Sequence, residues 1–319
     1  MLAALLFLAG LGLLTLGGEV LIRGAVALAR IAGLSPAVIG LTVVAMGTSL
    51  PELAVGLLAA LHGQPDLAVG NVIGSNIFNI TGALGLTALV TTLPVRGNAI
   101  RLEWPVMFAA TLACALLMRD FVLDRFEASF LVASLVLFTA YSVWVGRREV
   151  SAVERKEFAA AVGDRTLHAP RREGLLSLAF VLAGMGLLVA GGNLLVHGAV
   201  ILARLAGMSE RLIGLTIVAV GTGMPELATS VVAAMRKQTD VAVANMIGSN
   251  VFNLLGILGL TALVHPIHFA PELAGSDVWW LLGASLLLLA LLRSGMRLVR
   301  WEGALLVCVY VAYLVFLSR

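Results

Sequence analysis

The sequence is short of charge: only 12% of its 319 residues are Asp, Glu, Lys or Arg. A soluble globular chain carries about a quarter, so water is excluded as the main solvent of this fold. Aromatic residues make up 6%, and there are two cysteines, Cys114 and Cys308. Both lie inside apolar runs, which excludes a disulfide framework. Histidines number five, and His62, His168, His265 and His268 fall between apolar runs, with no role assigned. The net charge of +3 is small and its basic residues are dispersed, so nucleic acid is excluded as a partner. What is abundant is hydrophobic side chain, 60% of the chain, with a mean hydropathy of +1.03. Apolar runs of roughly 18 to 25 residues, enough to span a bilayer, recur from end to end. The expected class is an all-α integral membrane protein. The opening stretch, Met1 to Leu16, has no basic region before it and reads as a retained first span rather than a leader.

The chain repeats itself. Residues 17–90 align with 191–264 at an offset of 174 without a gap, and 45 of those 74 positions are identical. IGLTVVAMGTSLPELA meets IGLTIVAVGTGMPELA, and AVGNVIGSNIFN meets AVANMIGSNVFN. Polar residues match as well as apolar ones, which shared hydrophobicity does not produce. Ten spans are expected at about 1–17, 36–61, 67–92, 102–118, 128–145, 174–192, 210–235, 241–264, 278–292 and 301–317. Five spans per half is an odd number, so the second copy enters from the opposite face, as in many secondary transporters. The expected organisation is a first half at 1–145 (repeat core 39–90), a linker at 146–173 and a second half at 174–319 (core 213–264). Lys and Arg in the loops divide sixteen to five when the N-terminus is placed outside. The positive-inside rule then puts both termini outside and the 146–173 linker in the cytoplasm of a cell (inner) membrane protein.

GTSLPE (47–52) falls within the second expected span and GTGMPE (221–226) within the seventh. An ionisable side chain at membrane depth marks a functional pathway. Glu52 lies ten residues before His62 and Asn79 twelve after Leu67, about 15 and 18 Å along a helix. Both therefore sit near the middle of a core about 30 Å thick, and Glu226 and Asn253 repeat the arithmetic. Pro51 and Pro225 lack an N–H, which deprives the carbonyls of Gly47 and Gly221 of helical partners. Broken helices are expected for spans two, three, seven and eight, since broken backbone survives in a bilayer against protein or a cavity. Carboxylates, hydroxyls, amide oxygens and free carbonyls make an all-oxygen donor set. Ca²⁺ takes about 6–8 such ligands; without His or Cys, zinc and copper are disfavoured. Asn71, Asn76, Asn245 and Asn250 read equally well as packing residues or site residues. Glu19 and Asn193 share a repeat position without matching chemistry, as do Arg23 and His197, and all four are read as span-end residues.

The paired motifs resemble the repeats of the calcium/cation antiporter superfamily, specifically the sodium/calcium exchanger type of prokaryotes with its G-T-S-x-P-E signature. The resemblance covers both repeats and, through span count, the whole chain. It implies ten spans, alternating access and a cluster of cation sites between spans two, three, seven and eight. It implies Glu52 and Glu226 as central Ca²⁺ ligands, with Thr48 and Thr222 adding oxygens. Flanking Na⁺ sites would use the Ala45 carbonyl, Ser49 and Ser75, and in the other half the Ala219 carbonyl and Ser249. Asn79 and Asn253 would border the centre. Spans one and six would supply the sliding element. Two departures stand out: Gly223 where the first repeat has Ser49, and Asn253 where some relatives carry aspartate. With two carboxylates the centre carries charge −2, which puts in doubt the three sodium ions per calcium usual in the family. The expected ions are Ca²⁺ and Na⁺, with no cofactor and no enzymatic activity. A calcium/proton exchanger of the same superfamily, with G-N-x-x-E motifs, and a passive cation channel are the rival readings.

Overall fold

The computed structural model describes residues 2–95, 97, 99–149, 171–207, 219–269, 271 and 273–317. Residues 150–170 of the linker expected at 146–173, and 210–218 at the start of the seventh expected span, lie outside the described residues. In hydrocarbon every backbone N–H and C=O must find its partner within the segment, so the apolar runs fold as helices. The helices that frame the candidate site are α1 (Leu2–Ala32), α2 (Leu50–Leu61), α3 (Pro65–Ile77) and α4 (Leu84–Val90). They continue with α5 (Trp104–Leu117), α6 (Arg125–Glu149) and α7 (Arg171–Leu205). The second half adds α8 (Met224–Met235), α9 (Thr239–Val251), α10 (Leu258–Val264), α11 (Val278–Arg293) and α12 (Arg300–Leu317). Among the described residues, seven helical segments are long and apolar enough to cross a bilayer. Ala37–Thr48 and Leu50–Leu61 form an eighth as a pair bent by 43°, while α8 and α11 are shorter apolar helices.

The first and sixth spans differ from expectation. Instead of ending near the glycine pairs 17–18 and 191–192, α1 runs to Ala32 and α7 to Leu205. These glycines pack rather than punctuate. Gly10 meets Gly191 and Gly17 meets Gly184 in an antiparallel seam along α1 and α7, which Gly24 extends against Ser177 and Val181, and Gly198 against Ala3 and Phe7. A Cβ on Gly10 would lie 2.5 Å from the Leu195 backbone N, and one on Gly184 equally close to that of Leu21. Side-chain-free positions are what allow two backbones this near. A helix of 31 residues is about 46 Å long, so α1 must tilt to fit a bilayer. Glu19, Arg23, Asn193 and His197 thus lie inside helices rather than at span ends. Glu19 pairs with Arg23 on its own helix and with Arg236 just beyond α8.

Pro65–Val90 and Thr239–Val264 form the centre, each 83% buried where the other long spans are 22–39% buried. Neither is broken, contrary to expectation. Each is continuous and carries a π turn, Phe78–Ala83 in one and Phe252–Ile257 in the other, flanked by right-handed helical residues. A π turn adds a residue without ending the helix, and such turns cluster at functional sites. The second span does break, at Ser49 (φ −85°, ψ 8°), and the matching step is at Gly223 (φ −84°, ψ 1°). The halves interlock: a π turn at Gly40–Val44 packs on α9, where a Cβ on Gly248 would fall 2.4 Å from the Leu41 carbonyl oxygen.

Two short antiparallel pairs tie the loops. β1 (Leu93–Pro94) pairs with β4 (Arg297–Leu298), and β2 (Val122–Leu123) with β3 (Ile267–His268). β3 stands 174 residues after β1 and β4 175 after β2. The two pairs are therefore equivalent copies of one contact between the halves.

Candidate ion-binding site

The second span breaks as the sequence predicts, and Pro51 and Pro225 lie just after the steps rather than inside a helix. They occupy the first turn of α2 and α8, right after the steps at Ser49 and Gly223. A missing N–H is harmless there, and the fixed φ of proline suits the position. The same turn delivers Glu52 and Glu226, so each carboxylate lies at a helix N-terminus, where the backbone dipole favours negative charge. The glycines ahead of each step let α7 approach. A Cβ on Gly47 would fall within 2.0 Å of Met185 Cε, and one on Gly221 within 2.1 Å of Val196 Cγ2.

Both carboxylates, one from each half of the chain, are fully buried. Ser49 Oγ donates to Glu226 Oε1 at 2.9 Å, a bond from one half of the chain to the other. The remaining three carboxylate oxygens, both of Glu52 and Oε2 of Glu226, have no hydrogen-bond partner. Thr48 Oγ1 lies 3.2 Å from the Ala45 carbonyl oxygen, 3.4 Å from Ser249 Oγ and 3.5 Å from Asn245 Oδ1. Ser75 Oγ and both amide atoms of Asn79 and of Asn253 are buried without partners. Ser49, expected at a flanking site with Ser75, donates to a carboxylate of the opposite half. The Ala45 carbonyl already accepts the Ser49 N–H at 3.1 Å, and Ala219 lies in the described helical stretch Ala219–Thr222. Thr222, with Pro51, Gly221 and Pro225, lines a cavity of about 300 Å³ that extends to Asn193 and His197 on α7.

The four asparagines left open by the sequence separate here. Asn245 donates to Ser230 Oγ at 3.0 Å and touches Thr48, so it braces the site. Asn71 donates to the Glu52 backbone carbonyl at 3.2 Å. Asn76 Nδ2 donates to the Val72 carbonyl at 2.6 Å and Asn250 Nδ2 reaches Met107 Sδ at 3.5 Å, while the Oδ1 of each is buried without a partner. Sequence reasoning misses Ser230 and Thr229, which are fully buried on α8. Their repeat counterparts are Gly56 and Val55, so the self-alignment carries no signal for them.

Burying two like charges costs several kcal/mol per ion after relaxation. Oxygens without partners add to that cost unless something positive meets them. The set of carboxylates, hydroxyls and amides suits a hard, oxygen-seeking cation. Among the described residues no three His, Cys, Asp or Glu gather as a metal cluster.

Comparison with known proteins agrees. The family model for sodium/calcium exchanger protein matches residues 2–144 and 176–319. The putative antiporter CaxA of Alkalimonas amylolytica is 38% identical over 332 residues, covering 98% of each chain. The sodium/calcium exchanger MaX1 of Methanosarcina acetivorans is 30% identical over 348 residues, covering 98% of this chain and 97% of its own. The solved structure of the sodium-calcium exchanger NCX_Mj, soaked with 2.5 mM Na⁺ and 0.1 mM Ca²⁺, superposes with a TM-score of 0.81 at 29% identity. It covers 98% of this chain and 97% of its own. The expected exchanger resemblance, the membrane setting and the helical fold are all met by these matches. This chain is a membrane antiporter of the sodium/calcium exchanger family.

Proposed function

We propose that this chain exchanges Na⁺ for Ca²⁺ by alternating access, the two ions competing for one site between Glu52 and Glu226. One observation carries the reading: two fully buried carboxylates keep three of their four oxygens without partners. One Ca²⁺ or two Na⁺ neutralise that pair, and an uncompensated charge in low dielectric is too costly to carry across. Binding one ion therefore expels the other. Thr48, Thr222, Ser49, Ser75, Ser249, Asn79 and Asn253, with the carbonyls of Ala45 and Ala219, complete the donor set in this reading.

The proposal includes ten spans in two inverted halves, 1–145 and 174–319, with both termini outside and the 146–173 linker cytoplasmic. Seven long segments, one bent pair and two shorter apolar helices are consistent with ten passes. The strand pairs support inversion, because β1 pairs with β4 while their repeat equivalents β3 and β2 pair with each other. The sliding pair would be α1 and α7. The cell (inner) membrane is the proposed location.

The test is calcium uptake into proteoliposomes under separate sodium, potassium and proton gradients. Sodium-driven uptake is expected, and Glu52→Gln or Glu226→Gln should lower it at least a hundredfold, since each removes one of the two charges that bind the ion. Uptake driven by protons without sodium would replace this reading by a calcium/proton exchanger. Flux with no counter-ion would replace it by a channel.

A further inference from the structure

The repeat makes a specific demand on the site. Glu226 receives a hydroxyl from the opposite half, Ser49 Oγ at 2.9 Å. The equivalent partner for Glu52 would come from residue 223, which is glycine, and both Glu52 oxygens go without. That space is filled by a ring. A Cβ on Gly223 would meet Phe78 Cδ1 at 2.5 Å and Cε1 at 2.7 Å. The other edge of the same ring lies 2.5 Å from where a Cβ on Gly82 would sit. Phe78 is 2% exposed, and Tyr310 packs edge-on against it with centroids 5.3 Å apart. A ring held between two glycines and a second aromatic cannot swing aside as a flexible chain end does. Its repeat counterpart Phe252 meets Gly256 more loosely, at 3.1 Å from the corresponding Cβ position.

We propose that Phe78 is a specificity-determining residue, its ring closing one monovalent-cation position beside Glu52 and limiting the site to one divalent or two monovalent ions. This rests on the exchanger reading above. Glu226 keeps the Ser49 hydroxyl, whereas the repeat-equivalent position, Gly223, carries no oxygen and meets the Phe78 ring instead. A third sodium would find neither that ligand nor a negative charge to balance it, and a net positive charge in low dielectric is strongly disfavoured. Coupling is then two sodium ions per calcium, with no net charge moved.

The experiment measures sodium-driven calcium flux in proteoliposomes at imposed membrane potentials, together with the sodium Hill coefficient. For the unaltered protein, charge balance at the site gives flux independent of potential and a coefficient of about two. Gly223→Ser alone forces a Cβ onto the ring and should lower both yield and flux. Phe78→Ala with Gly223→Ser makes room and supplies the hydroxyl, and a third sodium at this site should raise the coefficient toward about three and make flux respond to potential. Potential-sensitive flux by the unaltered protein overturns the proposal without any variant, as does a transporting double variant with unchanged coupling. Absence of sodium-driven flux overturns the exchanger reading, and this inference with it.

Discussion

Ser49 has two tasks at once. It is the residue at which the second span steps from one helix to the next, and its hydroxyl holds one oxygen of the buried carboxylate pair while the other three go without partners. A hydrogen bond to a charged group contributes about 1.5–3 kcal/mol, and about 1.4 kcal/mol is a factor of ten in binding. Ser49→Ala should therefore raise the half-saturating sodium concentration roughly 10- to 100-fold, measured as sodium-dependent calcium efflux from vesicles. An unchanged sodium dependence would show that the hydroxyl serves the fold alone. Ser230→Ala is the contrasting case. It takes the acceptor from Asn245, which costs about 1 kcal/mol of stability while leaving the carboxylates untouched. The charged members of the site are legible in the sequence because a carboxylate in an apolar run is too costly to keep there without a function. Ser230 and Thr229 are not, because a hydroxyl in a membrane helix can bond back to its own turn and needs no functional reason to be there.

At the scale of the helix, the glycines of α1 and α7 carry the interface. A Cβ on Gly184 would meet the Leu21 backbone N at 2.5 Å, whereas one on Gly186, two residues on, would meet nothing within 4 Å. Gly184→Ala must push one backbone off the other, and overpacking of this kind costs typically about 1–3 kcal/mol. A fall in the melting temperature of detergent-solubilised protein is the expected outcome, with transport lost in step if α1 and α7 move as one body. Gly186→Ala should leave both unchanged or slightly raise stability. Equal effects of the two substitutions would mean that the seam is not a tight contact. The heptad spacing of Gly10, Gly17 and Gly24 is visible in the sequence, yet paired glycines at 17–18 also fit a span end, and periodicity alone does not choose between them. The same limit applies to the π turns. Phe78–Ala83 and Phe252–Ile257 differ from ordinary helix by one backbone register, set by tertiary packing and unmarked by proline.

For the molecule as a whole, the decisive geometry is which loops share a face. Antiparallel β1–β4 pairing brings the loop after α4 to the loop after α11, and β2–β3 pairing brings the loop after α5 to the loop after α10. In the proposed ten-span arrangement α5 crosses between β1 and β2, which puts the two pairs on opposite sides of the membrane. Pro94 and His268, both exposed, are 174 residues apart and so occupy the same place in the repeat. In parallel halves those two residues share a face; in inverted halves they cannot. Cysteines introduced one at a time at Pro94 and His268, after replacing Cys114 and Cys308, convert that into an accessibility measurement with a membrane-impermeant thiol reagent. His268→Cys should react in intact cells, while Pro94→Cys and its strand partner Arg297→Cys should react only in inside-out vesicles. The proposed orientation places the excess of Lys and Arg on the Pro94 side, as the positive-inside rule requires. Labelling of Pro94→Cys and His268→Cys from one side would rule out inversion, and with it the idea that each copy offers its carboxylate from the opposite direction.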